Sequence, residues 1–389
     1  MNEFCRAVID LVKAAITEKK ANIPDNFNWE EALKLCDVHT ITPMLYYGAQ
    51  FSGITLPESI NNEFFIETFC SIRKEQNQQY EILCIKKAFE ENGIDYMFLK
   101  GIVLKPLYKK TEMRTMTDAD IFIKQEQYDK ISACMTELGF AEINESDHEY
   151  IWEKKGSLSL ELHKRLIPSY DKDYYRYFSD GWGFARKNKG HEYFMSREDT
   201  FIYMFVHFAK HYRDAGIGIR YMTDLYLYLE NAKDMDKAYI EKALESLKML
   251  TFYNSIMSTL NVWFDNGETS DITEFITTRI INSGLHGTYY NHLVSSALRN
   301  INSRNGKGAK FKRFMQIMFP SLKNMKTLYP VLEKAPLLVV WYWPVRVVSA
   351  LIYKKDNVRA YREEMKIISD ENIQHYKEEL RYVGIEYEF

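Results

Sequence analysis

Two acidic residues open the strand-like segment that most constrains how this chain can fold. The segment reads Asp118-Ala-Asp120-Ile-Phe-Ile123, and side chains two residues apart in a strand point to the same face. The two carboxylates would therefore lie side by side, where like charges repel unless a cation lies between them. Carboxylate oxygens are hard ligands that suit Mg²⁺ or Mn²⁺. The segment predicts a metal-binding pair at the start of a buried strand, against the plainer alternative of a solvated strand edge.

A third carboxylate occurs in a second alternating segment. In Leu158-Ser-Leu-Glu161-Leu-His163 the leucines share one face and the polar residues share the other. If this strand neighbours the first, Glu161 completes a site of three carboxylates. Two divalent ions held about 4 Å apart in such a site stabilise the attacking and leaving oxygens of a phosphoryl displacement. Simple alternation along a half-exposed strand is the other interpretation of Glu161.

Lys100 and Gly101 stand where the short apolar segment 94–99 gives way to a predicted helix that runs through Tyr108. Glycine lets the backbone approach a ligand closely, a helix N-terminus offers free N–H groups to phosphate, and Lys100 adds a positive charge. Arg114 precedes the acidic pair, and the sequence predicts that it either positions a phosphate or holds the loop before the acids. Together these residues predict a phosphate-binding turn.

Helical patterns flank this α/β stretch on both sides. The predicted α/β elements are strands at 94–99, 118–123, 150–154 and 158–163, the last two joined as a hairpin, and a helix at 125–138. The predicted later helices cover 198–212, 220–231, 236–247 and 250–264. The fold class is therefore α+β, with a small mixed β-sheet core flanked by N-terminal and C-terminal helical regions. The predicted domains are an N-terminal helical region (1–92), the α/β core (93–195), a helical domain (196–300) and a C-terminal helical tail (301–389).

Charge and cysteine usage narrow the class of protein. The 389 residues carry a formal net charge of −3, so no global basic field attracts nucleic acid, and nucleic acid is an unlikely partner on this ground. The five cysteines are scattered without the spacing of a zinc site, as is typical of a reducing interior. Charges interrupt the first twenty residues, which therefore do not resemble a signal peptide. We expect a cytoplasmic protein.

A long apolar segment near the C-terminus approaches the length of a membrane span. Residues 335–353 are nearly all apolar, but Pro344 and Arg346 near the centre argue against a transmembrane helix. A basic cluster precedes the segment and consists of Lys307, Lys310, Lys312 and Arg313. The favoured interpretation is a solvated loop followed by a buried or partly interfacial helix, and the alternative is weak contact of the pair with an acidic membrane surface.

The order of these segments resembles a known family. The chain has Leu99-Lys100-Gly101, Leu107-Tyr108 and Arg114 through Asp120 where that family has Leu-Lys-Gly, Leu-Tyr and Arg-Pro-x-x-Asp-x-Asp. Glu161-Leu-His163 matches the later strand of the same family. Over roughly residues 30–230 the chain thus resembles the uncharacterised bacterial nucleotidyltransferases of the polymerase-β superfamily. It departs from the pattern where Thr115 replaces the usual proline, and where Lys-Gly replaces the Gly-Ser that is more usual in the superfamily.

The resemblance implies a nucleotidyltransferase core, a nucleoside triphosphate (NTP) donor and dependence on Mg²⁺ or Mn²⁺. The implied catalytic and metal-binding residues are Asp118, Asp120 and Glu161. The implied nucleotide-binding residues are Lys100, Gly101, Arg114, Lys210 and His211. His207 and His211 are four residues apart and share one helix face. A pair of hydrogen-bonding histidines in the interdomain cleft is the favoured interpretation, and a metal site is the alternative, although the chain has no His-Glu-x-x-His motif.

Two hypotheses about function follow. The first is an enzyme that moves a nucleoside monophosphate from an NTP to an unknown hydroxyl or amine acceptor. The second is a non-catalytic protein that binds a nucleotide or a partner on the same scaffold, because a fold does not fix a function. Product formation that depends on the NTP distinguishes the two.

Overall fold

The computed structural model of the chain describes residues 1–285, 287–299, 306–353 and 355–385. Contacts divide the chain into two compact units. The first unit comprises 1–210 and 217–286, and the second comprises 211–216 and 287–389. The four predicted domains are not tested by this division and stay a prediction.

Helices make up most of the described residues. The helices of the first unit, the last residues of α8 excepted, are α1 (Glu3–Thr17), α2 (Trp29–His39), α3 (Thr42–Ser52), α4 (Glu58–Glu91), α5 (Lys100–Leu104), α6 (Tyr128–Glu137), α7 (Lys172–Phe178), α8 (Arg197–Asp214), α9 (Ile219–Asn231), α10 (Lys237–Ser246), α11 (Leu250–Phe264) and α12 (Asp271–Ser283). Those of the second unit are α13 (Tyr289–Arg299), α14 (Gly306–Met318), α15 (Leu322–Leu328), α16 (Val331–Lys334), α17 (Val339–Tyr353), α18 (Lys355–Ile367) and α19 (Asp370–Tyr382).

A mixed sheet in the first unit contains the strands that carry the predicted acidic residues. Its strands are β1 (Tyr96–Phe98), β2 (Asp118–Ile123), β3 (Ala141–Glu145), β4 (Glu149–Glu153), β5 (Ser159–His163), β6 (Arg186–Lys187) and β7 (Glu192–Phe194). The strand order is β3-β4-β5-β2-β1-β7-β6. Strand β2 is therefore central, antiparallel to β1 and parallel to β5.

The two faces of β2 have different environments because apolar and polar residues alternate along it. Ala119, Ile121 and Ile123 pack in a core with the leucines of β5 and with residues of α4 and α6 such as Phe89 and Met135. Removal of these side chains from water is the main force that holds the sheet against the helices. The acidic residues consequently occupy the opposite face.

The structure confirms the α+β fold class and most of the predicted elements. Strand β2 has the predicted bounds, the pair β4–β5 is the predicted hairpin, and β2 and β5 are neighbours. The helix predicted from Gly101 through Tyr108 is wrong in its length, because it is the five-residue α5 followed by a 3₁₀ turn, Lys105–Leu107. Pro106 within that turn has no N–H to donate, so a regular α-helix does not continue through it.

In the second unit, the basic cluster predicted from sequence falls within helix α14, so the predicted loop is wrong there. The side chains of Lys307, Lys310 and Lys312 lie outside the described residues. Arg313 is described, and its Nη2 lies 2.9 Å from Glu364 Oε2. Among the helices of the described ranges, none has the length and hydropathy that a membrane crossing requires.

Candidate active site

The parallel register of β2 and β5 brings the predicted acids together. Asp120 lies opposite Glu161, and Asp118 lies opposite Ser159. Asp118 and Asp120 share one face of β2, as residues two apart must. Asp120 is buried, whereas Asp118 and Glu161 are half-buried. Three carboxylates therefore lie on one face of two central strands.

Lys100 supplies a positive charge to this acidic face. Its Nζ lies 2.5 Å from Asp120 Oδ1 and 3.9 Å from Glu161 Oε2. The backbone N–H of Leu99 donates to the carbonyl oxygen of Asp120 at 3.0 Å, which fixes the end of β1 against β2. Lys100 has φ of 42°, a left-handed conformation that is uncommon for residues with a side chain. The surrounding structure thus holds Lys100 in an unfavourable backbone conformation in which its ammonium meets Asp120.

His163 contacts both carboxylates from the end of β5. Its Nε2 lies 2.8 Å from Asp120 Oδ1 and 3.5 Å from Glu161 Oε2. Its Nδ1 lies 3.8 Å from Glu149 Oε2. Burial and the nearby Lys100 lower the pKa of His163, but its hydrogen bonds to the two carboxylates outweigh them, so the net shift of the pKa is upward.

The pKa values of the two carboxylates that face each other across the strands, Asp120 and Glu161, are shifted in opposite directions. Burial raises the pKa of Asp120, but the Lys100 ammonium and the hydrogen bond from His163 outweigh it and hold the pKa below its usual range. Burial raises the pKa of Glu161, and neither His163 nor Lys100 fully offsets it. Asp120 is therefore ionised at neutral pH, and Glu161 holds a proton more readily than an ordinary glutamate does.

The donor atoms on this face fit a hard divalent cation. Ligand atoms of Asp120, Glu161 and His163 all lie within 4.8 Å of one another. Oδ1 of Asp120 accepts from Lys100 and contacts His163, while its Oδ2 forms no hydrogen bond with a described residue. Asp118 likewise forms neither a hydrogen bond nor an ion pair with the described part of the chain. Carboxylate oxygens remain available for Mg²⁺ or Mn²⁺ without displacement of Lys100.

A second cluster of possible ligands adjoins the first. His148, Glu149 and His163 also place ligand atoms within 4.8 Å of one another. His148 Nε2 lies 2.9 Å from Glu149 Oε2. No local sequence pattern marks His148 or Glu149 as a site residue, because only the pairing of β4 with β5 brings Glu149 opposite His163. The close ion pairing of these groups with one another favours a role in orienting His163.

Tyr203 of α8 is a functional candidate that sequence analysis missed. Its side chain is buried, and its hydroxyl has no hydrogen-bond partner among the described residues. The charges of Lys100, Asp120 and Glu161 act on it, and burial raises its pKa above the usual value. A buried hydroxyl without a partner is costly. Such a group at an acidic site is therefore a candidate to bond a ligand.

A cavity of about 190 Å³ adjoins Lys100 and Tyr203. Most of its wall is apolar or aromatic. Its lining consists of Phe98, Leu99, Lys100, Val103, Leu104, Phe194, Met195, Arg197, Thr200, Tyr203, Met204 and Tyr228. The cavity therefore has aromatic rings in its wall together with Lys100, whose ammonium contacts Asp120.

Arg114 holds the loop that precedes the acidic pair. Its Nε and Nη2 lie 2.8 and 2.9 Å from the two carboxylate oxygens of Asp224 on α9, in a buried bidentate pair. Tyr108 donates to the same carboxylate at 2.7 Å, and Arg220 donates to the carbonyl oxygen of Thr115 at 2.7 Å. These bonds support the loop-holding alternative for Arg114, whose predicted contact with nucleotide stays a prediction.

Gly101 lies against side chains of the loop that precedes β2. A Cβ built on Gly101 would lie 2.6 Å from Met116 Sδ and 2.9 Å from Arg114 Nη1. A larger residue would therefore displace these two side chains. The glycine that was predicted to admit a phosphate also admits the loop that carries Asp118.

The remaining predicted residues, Lys210 and His211, come from the end of α8. Lys210 Nζ lies 3.7 Å from Asp171 Oδ2 and 5.9 Å from the centre of the Tyr170 ring. His211 belongs to the second unit, whereas Lys210 belongs to the first. Their predicted contact with phosphates stays a prediction.

The first unit matches a known family. A family model described as an uncharacterised nucleotidyltransferase matches residues 25–265. The chain belongs to this family. No curated protein and no solved structure matches the chain.

The match to the nucleotidyltransferase family includes every candidate site residue. It begins before α2 and ends just after α11, so it contains the whole sheet and the helices that carry Tyr203 and Asp224. The helices of the second unit after residue 287 lie outside it. The acidic face consequently lies within the matched region.

Proposed function

We propose that the chain is a metal-dependent enzyme that transfers a nucleoside monophosphate from an NTP to a hydroxyl or amine acceptor. The observation that carries the proposal is the pairing of Asp120 with Glu161 across β2 and β5, with Asp118 on the same face and Lys100 beside them. Three hard ligands and one cation on a single face suit phosphoryl transfer.

Asp118, Asp120 and Glu161 would hold Mg²⁺ or Mn²⁺, which supplies neutralisation of the charge on the phosphates. His163 orients Asp120 through its hydrogen bond to Oδ1 and leaves Oδ2 for other contacts. Lys100 binds a phosphate oxygen of the donor while it remains near Asp120. Positioning and charge neutralisation of this kind provide most of the rate in phosphoryl transfer.

Glu161 is the group suited to accept a proton from the acceptor. Its burial raises its pKa, and a base works best when its pKa approaches the operating pH. The proton leaves the acceptor hydroxyl or amine as that oxygen or nitrogen bonds the α-phosphorus, and pyrophosphate departs. The hydroxyl of Tyr203, which has no partner among the described residues, would bond the donor or the acceptor.

The aromatic cavity next to Lys100 would hold the nucleobase of the donor. Its walls include Phe98, Phe194 and Tyr228, and stacking on aromatic side chains stabilises a base by about 1–3 kcal/mol. The phosphates would then extend toward Lys100 and the acidic face.

Transfer of a labelled nucleotide tests the proposal. NTPs labelled at the α-phosphate or at the γ-phosphate are incubated with the protein, Mg²⁺ and a clarified cell extract as a source of acceptors. We expect the α-label alone to enter a product, and we expect no transfer with Asp118→Asn or Asp120→Asn. The matched control is Glu126→Gln, an exposed acid beyond the other end of β2, which should transfer like the wild type.

Two outcomes contradict the proposal. Transfer that persists in both aspartate variants removes the acidic face from the mechanism. Metal-dependent nucleotide binding without transfer of the α-label favours instead the non-catalytic nucleotide-binding protein.

A further inference from the structure

Helix α17 in the second unit exposes an apolar face. The side chains of Leu337, just before the helix, and of Trp341 on its first turn are 89% and 75% exposed. Val340, Val345 and Val348 are also exposed. On a helix these positions fall on one side, because neighbours along a face recur every three or four residues. The described residues on this face carry no charge.

The opposite side of α17 is held by the preceding segment. Trp343 donates from Nε1 to the carbonyl oxygen of Pro320 at 3.1 Å, and its ring meets that of Phe319 edge to face at 5.2 Å. Arg346 donates from Nη1 to the carbonyl oxygen of Ile317 at 2.7 Å. These bonds fix the rotation of the helix, so Trp341 faces outward although α17 is packed on its other side.

The segment that carries this face is strongly cationic. From Gly306 to Tyr353 the sequence has eight Lys and Arg residues and a single acid, Glu333, in a chain of net charge −3. Exposed Phe311 and Phe314 of α14 add further apolar surface. An apolar helix face within a cationic segment complements a surface that is both apolar and negatively charged.

We propose that the apolar face of α17 docks in the plane of an anionic lipid bilayer surface. A second copy of this chain is a poorer occupant, since it would bring two cationic segments together. With 15 residues, α17 is shorter than the roughly 20 residues of a membrane span, and tryptophan is favoured at the boundary between headgroups and acyl chains. The face lies outside the residues matched by the family model, so it would localise the chain and leave the transfer chemistry to the first unit.

Flotation of the full chain with vesicles tests this proposal. The vesicles consist of phosphatidylcholine with phosphatidylglycerol, or of phosphatidylcholine alone. We expect binding to the anionic vesicles only, weakening as salt rises. The double variant Trp341→Glu/Val345→Glu should lower the partition coefficient by about tenfold or more, because it removes apolar contact and adds two like charges.

A matched variant controls for a general loss of apolar surface. Ile66 and Phe69 are exposed on α4 in the first unit, and Ile66→Glu/Phe69→Glu should bind vesicles like the wild type. Circular dichroism shows whether each variant is folded, and the conservative Trp341→Phe should retain binding. No binding of the wild type to either vesicle, or equal loss in both double variants, overturns the proposal. Self-association without lipid that only the α17 variant abolishes overturns it in favour of a second copy. NTP binding measured on the same samples reports on the proposed function separately.

Discussion

Asp118 and Asp120 lie two residues apart, yet their side chains have different surroundings. Asp120 is buried against Lys100 and His163, whereas Asp118 is half-buried and forms no hydrogen bond or ion pair with a described residue. Asp120 therefore contributes to stability in the absence of metal, and Asp118 does not. Both are proposed ligands, so their variants should differ in stability while sharing a loss of activity.

Denaturant unfolding of the metal-free protein checks this difference. Asp120→Asn should lower the free energy of unfolding by about 2 kcal/mol, because it weakens two charged hydrogen bonds and leaves the Lys100 ammonium buried without its anion. Asp118→Asn should change it by less than about 0.5 kcal/mol. Equal destabilisation by the two changes contradicts the assigned contacts.

Tyr203 allows a test that separates function from stability. Tyr203→Phe removes a buried hydroxyl that has no partner among the described residues, so the melting temperature should not fall, and the transfer rate should drop about tenfold if a substrate bonds the hydroxyl. Tyr228, in the wall of the same cavity, donates to the carbonyl oxygen of Arg197 at 2.9 Å. Tyr228→Phe should therefore destabilise the fold by about 1 kcal/mol and leave the rate nearly unchanged. The reverse pattern argues against Tyr203 as a substrate-binding group.

The raised pKa of Glu161 predicts how metal binding depends on pH. Metal binding requires the ionised carboxylate, and this group takes up a proton at a higher pH than an ordinary glutamate. The thermal stabilisation by Mg²⁺ should therefore decrease as the pH falls from 7.5, beginning above the ordinary pKa of 4.5. In Glu161→Gln the remaining stabilisation should lose this component of the pH dependence. An unchanged profile in that variant assigns the titration to another group.

At the scale of elements, the buried ion pair between Arg114 and Asp224 joins the loop before β2 to α9. Arg114→Ala or Asp224→Ala leaves one buried charge without its partner and should cost about 3–5 kcal/mol. The double variant should cost less than the sum of the two, because it leaves neither charge behind. Equilibrium unfolding of the three variants measures this coupling, and strict additivity contradicts the pair.

Around the acidic face, the strands with core-facing side chains were predicted from the sequence, and the exposed or very short strands were missed. In β2 and β5 the residues that pack in the apolar core occupy every second position, and this alternation is the pattern by which both strands were recognised. Strand β3 was missed because all five of its residues are exposed. Strands β6 and β7 were missed because two and three residues carry too little pattern. Their pairing depends on tertiary contacts.

The local spacing of residues predicted part of the candidate site, and the rest required distant contacts. The shared face of Asp118 and Asp120 follows from strand geometry alone, and the proximity of Glu161 needed only that β2 and β5 be neighbours. The bond from Arg114 to Asp224 joins residues 110 apart. The proximity of the buried Tyr203 to the acidic face likewise depends on how α8 packs, and no local sequence pattern shows this packing.

At the scale of the whole molecule, the two units differ in what they present. The first contains the matched family region apart from residues 211–216, the sheet and every predicted site residue except His211. The second contains the cationic segment and the apolar face of α17. We therefore propose that the first unit performs the nucleotide transfer and that the second docks on the membrane surface. A variant that abolishes one of these activities should leave the other measurable in the intact chain.

Isothermal titration of ATP, CTP, GTP and UTP in the presence of Mg²⁺ tests the central claim most directly. The wild type is compared with Asp118→Asn/Asp120→Asn and with Glu126→Gln. We expect at least one NTP to bind to the wild type and to Glu126→Gln, to require the metal, and to bind more than tenfold more weakly to the double aspartate variant. Binding of the same affinity to the double variant, or metal-independent binding to all three proteins, would contradict the assignment of the acidic face as the site of metal-dependent nucleotide transfer.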